Sequence, residues 1–164
     1  MPRRRIPKRK IFRKVYRINN TVNSTSVVNI DLITADEEMT LIRTIINLQQ
    51  KLTVNGSNDL DSLIHVTRNG KVVADLPTSS MTQEDIGDIP NEELLRFKSK
   101  FTNDVITGAG EAYAASFVEK EHKFDLKSQR KLRKNDTVRF TYVAGAASPT
   151  MKQSGYIVTL YKRT

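Results

Sequence analysis

Cysteine is absent from the 164 residues, and so is tryptophan. Without a thiol there is no disulfide framework, no thiolate nucleophile and no cysteine-ligated zinc or iron–sulfur centre. Histidine is nearly missing too. Only His65 and His122 occur, each in a strand-like run with no sequence-near partner for a triad or a metal pair, and both read as ordinary strand histidines. No apolar run approaches the roughly 18 residues that a membrane-spanning helix needs. The basic start is not followed by the apolar stretch of a secretory signal. There is no Walker lysine: Thr107-Gly108-Ala109-Gly110-Glu111 holds a G-x-G but no third glycine, and Glu111 would repel phosphate, so it reads as a loop. The densest loop acids are Asp36, Glu37, Glu38, Asp59 and Asp61. Hard oxygen ligands suit Ca²⁺, but the EF-hand spacing is absent, and Asn55–Asp59 makes a good turn in its own right. The chain therefore reads as a non-enzyme with no cofactor and no metal site.

What is present in excess is positive charge, and it is segregated. Nine of the 27 Lys and Arg residues fall in residues 1–17, which hold no acid, leaving 18 bases against 18 acids in the rest. The whole formal charge of +9 is thus carried by the first segment, and the remainder is neutral. That partition describes a polyanion-binding arm attached to a separate folded body. The arm MPRRRIPKRKIFRKVYR, with prolines at 2 and 7 and self-repelling charge, is expected to be disordered when free. Arg3, Arg4, Arg5, Lys8, Arg9, Lys10, Arg13, Lys14 and Arg17 are the candidate phosphate contacts. Phe12 and Tyr16 either stack on unpaired bases or tuck against the body where the arm meets it. Arg outnumbers Lys six to three in the arm, which favours nucleic acid. A nuclear import signal can coexist in the same residues, whereas Pro7 interrupts any membrane-binding amphipathic helix. A second basic stretch, Lys127, Arg130, Lys131, Arg133 and Lys134, is mixed with acids. It reads either as a solvated loop or as a secondary contact with the same polyanion.

From Asn19 onward the chain turns to Thr, Val, Ile, Asn and Ser. Alternation marks strands at Thr137–Val143, Gly155–Tyr161, Val27–Ile33, His122–Leu126 and Ala112–Val118. Asn69-Gly70 between β-rich runs predicts a hairpin over Leu63–Leu76. Met39–Leu52 fits either a helix or a long strand, and its β-branched cluster favours the strand. Short helices are expected at Thr82–Ile86 and Pro90–Phe97, where acids sit near the start. Roughly eight or nine strands with little helix indicate a β-sandwich or barrel. The division expected is a disordered arm at 1–18 and a single all-β body at 19–164.

An Arg-rich arm ahead of a neutral all-β body resembles the single jelly-roll capsid proteins of small icosahedral viruses. Phe124–Leu132, Asn135–Phe140, the last strand Gly155–Tyr161 and Thr40-Leu41-Ile42-Arg43 look like capsid proteins of small circular single-stranded DNA viruses. The resemblance implies a sandwich of eight main strands and an inward-pointing arm that packages a single-stranded genome, DNA rather than RNA. It also implies self-assembly into a closed T=1 shell of about sixty copies, since only closed symmetry makes a finite object from identical subunits. The virion is then the expected location, with passage through the host nucleus and an import receptor if the host is eukaryotic. The alternative is a cellular nucleic-acid-binding β-barrel protein, ribosomal or chromatin-associated, with a basic tail; the neutral body counts against it.

Overall fold

The structure is a computed structural model that describes residues 10–22, 27–53, 60–69, 92–101, 117–145 and 150–163. Eight strands follow in chain order: β1 Ile11–Val22, β2 Val27–Thr34, β3 Met39–Thr53, β4 Leu60–Arg68, β5 Glu92–Phe101, β6 Phe117–Leu132, β7 Thr137–Gly145 and β8 Thr150–Arg163. They form two antiparallel four-stranded sheets, ordered β1-β8-β3-β6 and β2-β7-β4-β5. Apart from β4 and β5, no two neighbouring strands are consecutive in the chain, and the fold is an all-β jelly-roll sandwich.

The alternation read in the sequence is what the core uses. Val138, Phe140 and Tyr142 of β7 are each fully buried, facing Ile46 and Leu48 of β3 and Ile157 of β8 across the sandwich. Burying a side chain such as Phe140 contributes roughly 2–3 kcal/mol. Met39–Leu52 is strand, as its β-branched residues favour, with Thr44, Ile46, Leu48 and Gln50 on the inner face. The centre is partly polar. Burial pushes the Tyr142 hydroxyl up to about 12, with the neighbouring Ser62, Gln153 and Gln50 side chains working the other way.

Two seams close the sandwich. On one side Phe97 of β5 packs against His122 and Phe124 of β6, with ring centroids 4.9 and 5.0 Å away, and Arg130 pairs with Glu92. On the other side the Tyr16 hydroxyl of β1 donates to the Asp31 carbonyl of β2 at 2.7 Å.

Three expectations are corrected. Residues 11–17, expected in the disordered arm, form most of β1, paired from Ile11↔Lys162 to Arg17↔Tyr156. Ile11, Val15 and Ile18 are β-branched, and the ladder with β8 satisfies one backbone edge while the bases reach solvent. The boundary between arm and body therefore falls near Lys10, and residues 1–9 lie outside the described residues. Pro90–Phe97, expected as a helix, contributes Glu92–Phe97 to β5, whose pairing with β4 overrides a local helical preference. Of the hairpin expected over Leu63–Leu76, the first half lies in β4, which pairs with β5 and β7, and residues 70–76 lie outside the described residues. Lys127–Leu132, one reading of which was a loop, continues β6. The expected helix Thr82–Ile86, the loop Thr107–Glu111 and residues 112–116 lie outside the described residues.

Candidate nucleic-acid interface

β1 is an edge strand, and its period of two sorts the arm residues onto two faces. Lys10, Phe12, Lys14, Tyr16 and Ile18 share the inner side. Ile18 is buried, Phe12 stacks on Tyr161 with centroids 5.5 Å apart, and Tyr16 reaches β2. The ammonium groups of Lys10 and Lys14 lie 5.6 and 4.8 Å from the Phe12 and Tyr16 ring centroids, and the Arg163 guanidinium is 5.3 Å from Phe12. Phe12 and Tyr16 are thus occupied within the fold, and of the two readings open for them the structure places both against the body.

Ile11, Arg13, Val15 and Arg17 point outward, away from the other sheet. Register extends this side across β8 and β3 in rows: Ile11, Lys162 and Thr40; Arg13, Leu160 and Arg43; Val15, Val158 and Ile45; Arg17, Tyr156 and Asn47. Further along, Thr21, Lys152 and Lys51 share a row. The exposed large apolar side chains of the described residues, Ile11, Val15 and Tyr156, all lie on this face. Arg43 is neutralised by a bidentate pair with Asp125, Nε 2.6 Å and Nη2 2.5 Å from the carboxylate oxygens, which holds the Asp125 carboxyl below its usual value. Lys51 pairs with Glu119 at 3.3 Å. Among the described residues no carboxylate pairs with Arg13, Arg17, Lys152 or Lys162.

Tyr156, Lys152 and Lys162 are not singled out by sequence reasoning, although a signal for them exists. Residues 1–30 and 137–164 contain no Asp or Glu, and these two acid-free segments supply the paired strands β1 and β8.

The second basic stretch lies elsewhere. β6 is the opposite edge of the same sheet, three strand spacings or about 14 Å from β1. Lys127 and Lys131 are exposed there, beside Glu119, Glu121 and Asp125 on the same strand. Arg130 is held by Glu92. Arg133 and Lys134 belong to the turn into β7, where Asp136 is a hub. Its carboxylate accepts from Arg68 at 2.7 Å, Asn69 Nδ2 at 2.8 Å and the Arg133 N–H at 2.8 Å. Asn69 and Asn135 take the left-handed conformations this corner requires, with φ of 56° and 72°.

The histidines are buried inside the fold. The His65 and Glu93 side chains meet at 2.8 Å, and the His122 ring meets Gln50 at 2.9 Å. Burial pushes both pKa values below 6.5. Of the loop acids, Asp36 and Glu37 pair with Arg163 at 3.1 and 3.0 Å. Among the described residues no group of three His, Cys, Asp or Glu side chains is placed to hold a metal ion.

No known family model matches the chain, and no curated protein matches it. Solved structures that resemble it in part include the following three. A structure of infectious bursal disease virus, Gx strain, is 7% identical with a TM-score of 0.36, covering 94% of this chain and 32% of that one. The VP2 subviral particle of infectious bursal disease virus is 13% identical with a TM-score of 0.34, covering 92% and 36%. A CocE/NonD family hydrolase from Staphylococcus aureus is 10% identical with a TM-score of 0.41, covering 96% and 37%. The chain spans about a third of the length of each. At these scores none of them bears on what this chain does.

Proposed function

We propose that the chain is a structural protein that assembles into a closed icosahedral shell and packages a single-stranded genome through its basic N-terminal segment. The observation that carries this reading is the union of two features in one small chain. One is an eight-stranded jelly roll with sheets β1-β8-β3-β6 and β2-β7-β4-β5. The other is an acid-free run of nine bases over residues 1–17, six ahead of its first strand and three within it. A jelly roll alone does not define a function. A wedge that tiles, with its net charge concentrated in its first 17 residues, suits a container whose polyanionic content lies on one side. On this reading the protein is not an enzyme, about sixty copies form the simplest shell, and the virion is its location. Single-stranded DNA is the favoured cargo, and the arm serves nuclear import during assembly in a eukaryotic host.

The test is electron microscopy and sizing of purified full-length protein, with a nuclease-protection assay on the same sample. Closed particles holding protected nucleic acid are expected. A salt-stable monomer that binds nucleic acid overturns the shell and favours a cellular nucleic-acid-binding β protein.

A further inference from the structure

We propose that the outward face of β1 and β8 is a binding surface for single-stranded nucleic acid, with a base stacked on Tyr156 and phosphates held by Arg13, Arg17, Lys152 and Lys162. It deepens the genome-binding role assigned above to the N-terminal segment and rests on that reading. The folded jelly roll itself then takes part in binding, on residues far from the N-terminus in sequence.

Three observations meet on this face. First, its charge is of one sign. β1 and β8 contain no acid, and the four bases have no carboxylate partner among the described residues. Elsewhere on the same sheet side Arg43, Lys51 and Lys123 are paired with Asp125, Glu119 and Glu121. Second, Tyr156 is 43% exposed and lies directly across from Arg17 in the register. A tyrosine open to solvent beside an unpaired guanidinium offers a base a stacking face and its phosphate a fork of donors. Stacking requires an unpaired base, which selects single strands over duplex. Third, the face is continuous with the charged segment, because Lys10 enters β1 immediately before Ile11.

A second copy of the chain is the competing occupant, given the exposed Ile11 and Val15. A two-fold contact through this face has the wrong chemistry. An isologous contact repeats the same patch on both partners, so it would set unpaired bases opposite unpaired bases with no acid to neutralise them. A polyanion supplies that neutralisation.

The experiment measures binding of a fluorescent oligothymidylate to dilute full-length protein by anisotropy across a salt series, with light scattering on the same samples. Tyr156→Ala is expected to weaken binding roughly tenfold, while Tyr156→Phe stays within about twofold of the parent. Lys152→Gln with Lys162→Gln is expected to flatten the salt dependence by about 1.4 in log–log slope, near 0.7 for each phosphate no longer neutralised. Photo-crosslinking of a bromodeoxyuridine oligonucleotide to the unaltered protein should map to Tyr156. Unchanged affinity in Tyr156→Ala, or crosslinks confined to residues 1–10, overturns the inference. A change in particle size with no change in affinity also overturns it, by making this face a subunit contact. Particle formation is read separately. Tyr156-dependent binding without closed particles defeats the shell reading alone; particles with Tyr156-independent binding defeat this inference alone.

Discussion

The hydroxyl of Tyr16 donates to the main-chain carbonyl of Asp31 at 2.7 Å, tying the edge strand of one sheet to the edge strand of the other. This bond joins the basic N-terminal segment to the sandwich at its β1–β2 seam. Tyr16→Phe keeps the ring and removes the donor, at an expected cost of up to about 1 kcal/mol. Hydrogen exchange should show faster opening of β1 amides, with β3 amides unchanged. Equal acceleration in both strands would mean that β1 does not open on its own.

The edge strand also sets how much of the N-terminus is dispensable. Removing residues 1–9 should leave the β signal in circular dichroism intact and weaken nucleic-acid binding. Removing residues 1–17 should do more, because it strips the partners of β8 from Tyr156 to Lys162. An edge of β8 left open is a template for intermolecular pairing, so aggregation on size exclusion is expected of the longer truncation only.

Gly155 is required where β8 crosses β3. Its φ is +150°, and a Cβ there would run into the Asn47 carbonyl oxygen and lie 3.0 Å from the carbonyl carbon. That neighbour is main chain in a central strand and cannot swing aside. Gly155→Ala should therefore destabilise by more than about 3 kcal/mol, from strain and forced displacement together. The check is the urea midpoint; a shift equivalent to less than about 1 kcal/mol would show that β3 yields.

Asp136 gives the fold an acid-sensitive corner. Burial works to raise its pKa, but donation from Asn69, from the Arg133 N–H and from Arg68, with the Arg68 charge, outweighs that and lowers it from 3.8. Its contribution is present above the unfolded value of 3.8 and is lost as the pH falls through the lower folded one. Asp136→Ala should cost about 1–3 kcal/mol at neutral pH by taking the acceptor from Asn69 and the Arg133 N–H and leaving Arg68 with Glu92 alone. It should also flatten the acid limb of a plot of melting temperature against pH.

The histidines act at milder pH. His65 is lowered by burial against the pull of Glu93, with Arg96 adding to the lowering; His122 is lowered by burial and then by Lys120. Both unfolded rings take up a proton near 6.5 before the folded ones do, so stability present above that pH is lost as the pH falls below it. His122 packs beside Phe97 at the β5–β6 seam, so its protonation should loosen β5. NMR titration of the two rings should give midpoints below 6.5, and His122→Gln should reduce the loss of stability as the pH falls below 6.5. A His122 midpoint above 6.5 would reverse the sign of this effect.

Much of the sandwich is legible in the chain because its core strands carry their own pattern. Val138, Phe140 and Tyr142 alternate with polar residues, and β-branched residues mark β3 through an otherwise helical spacing. Local pattern failed at β5. Glu92-Glu93-Leu94-Leu95-Arg96 reads as helix, and only the ladder to β4, the preceding strand beyond a long connection, makes it extended.

The interface divides the same way. Composition alone determined that the positive charge is concentrated at the N-terminus and that the rest is neutral, because charge counts need no geometry. Only the tertiary structure decided where that charge is presented. Pairing of β1 with β8 turns Phe12 and Tyr16 inward, leaves Arg13 and Arg17 outward, and brings Tyr156 beside Arg17 across nearly the whole length of the chain. The physical reason is that strand pairing is a non-local choice, made by backbone hydrogen bonds and a shared core, and a one-residue change in its register would reverse every one of those assignments.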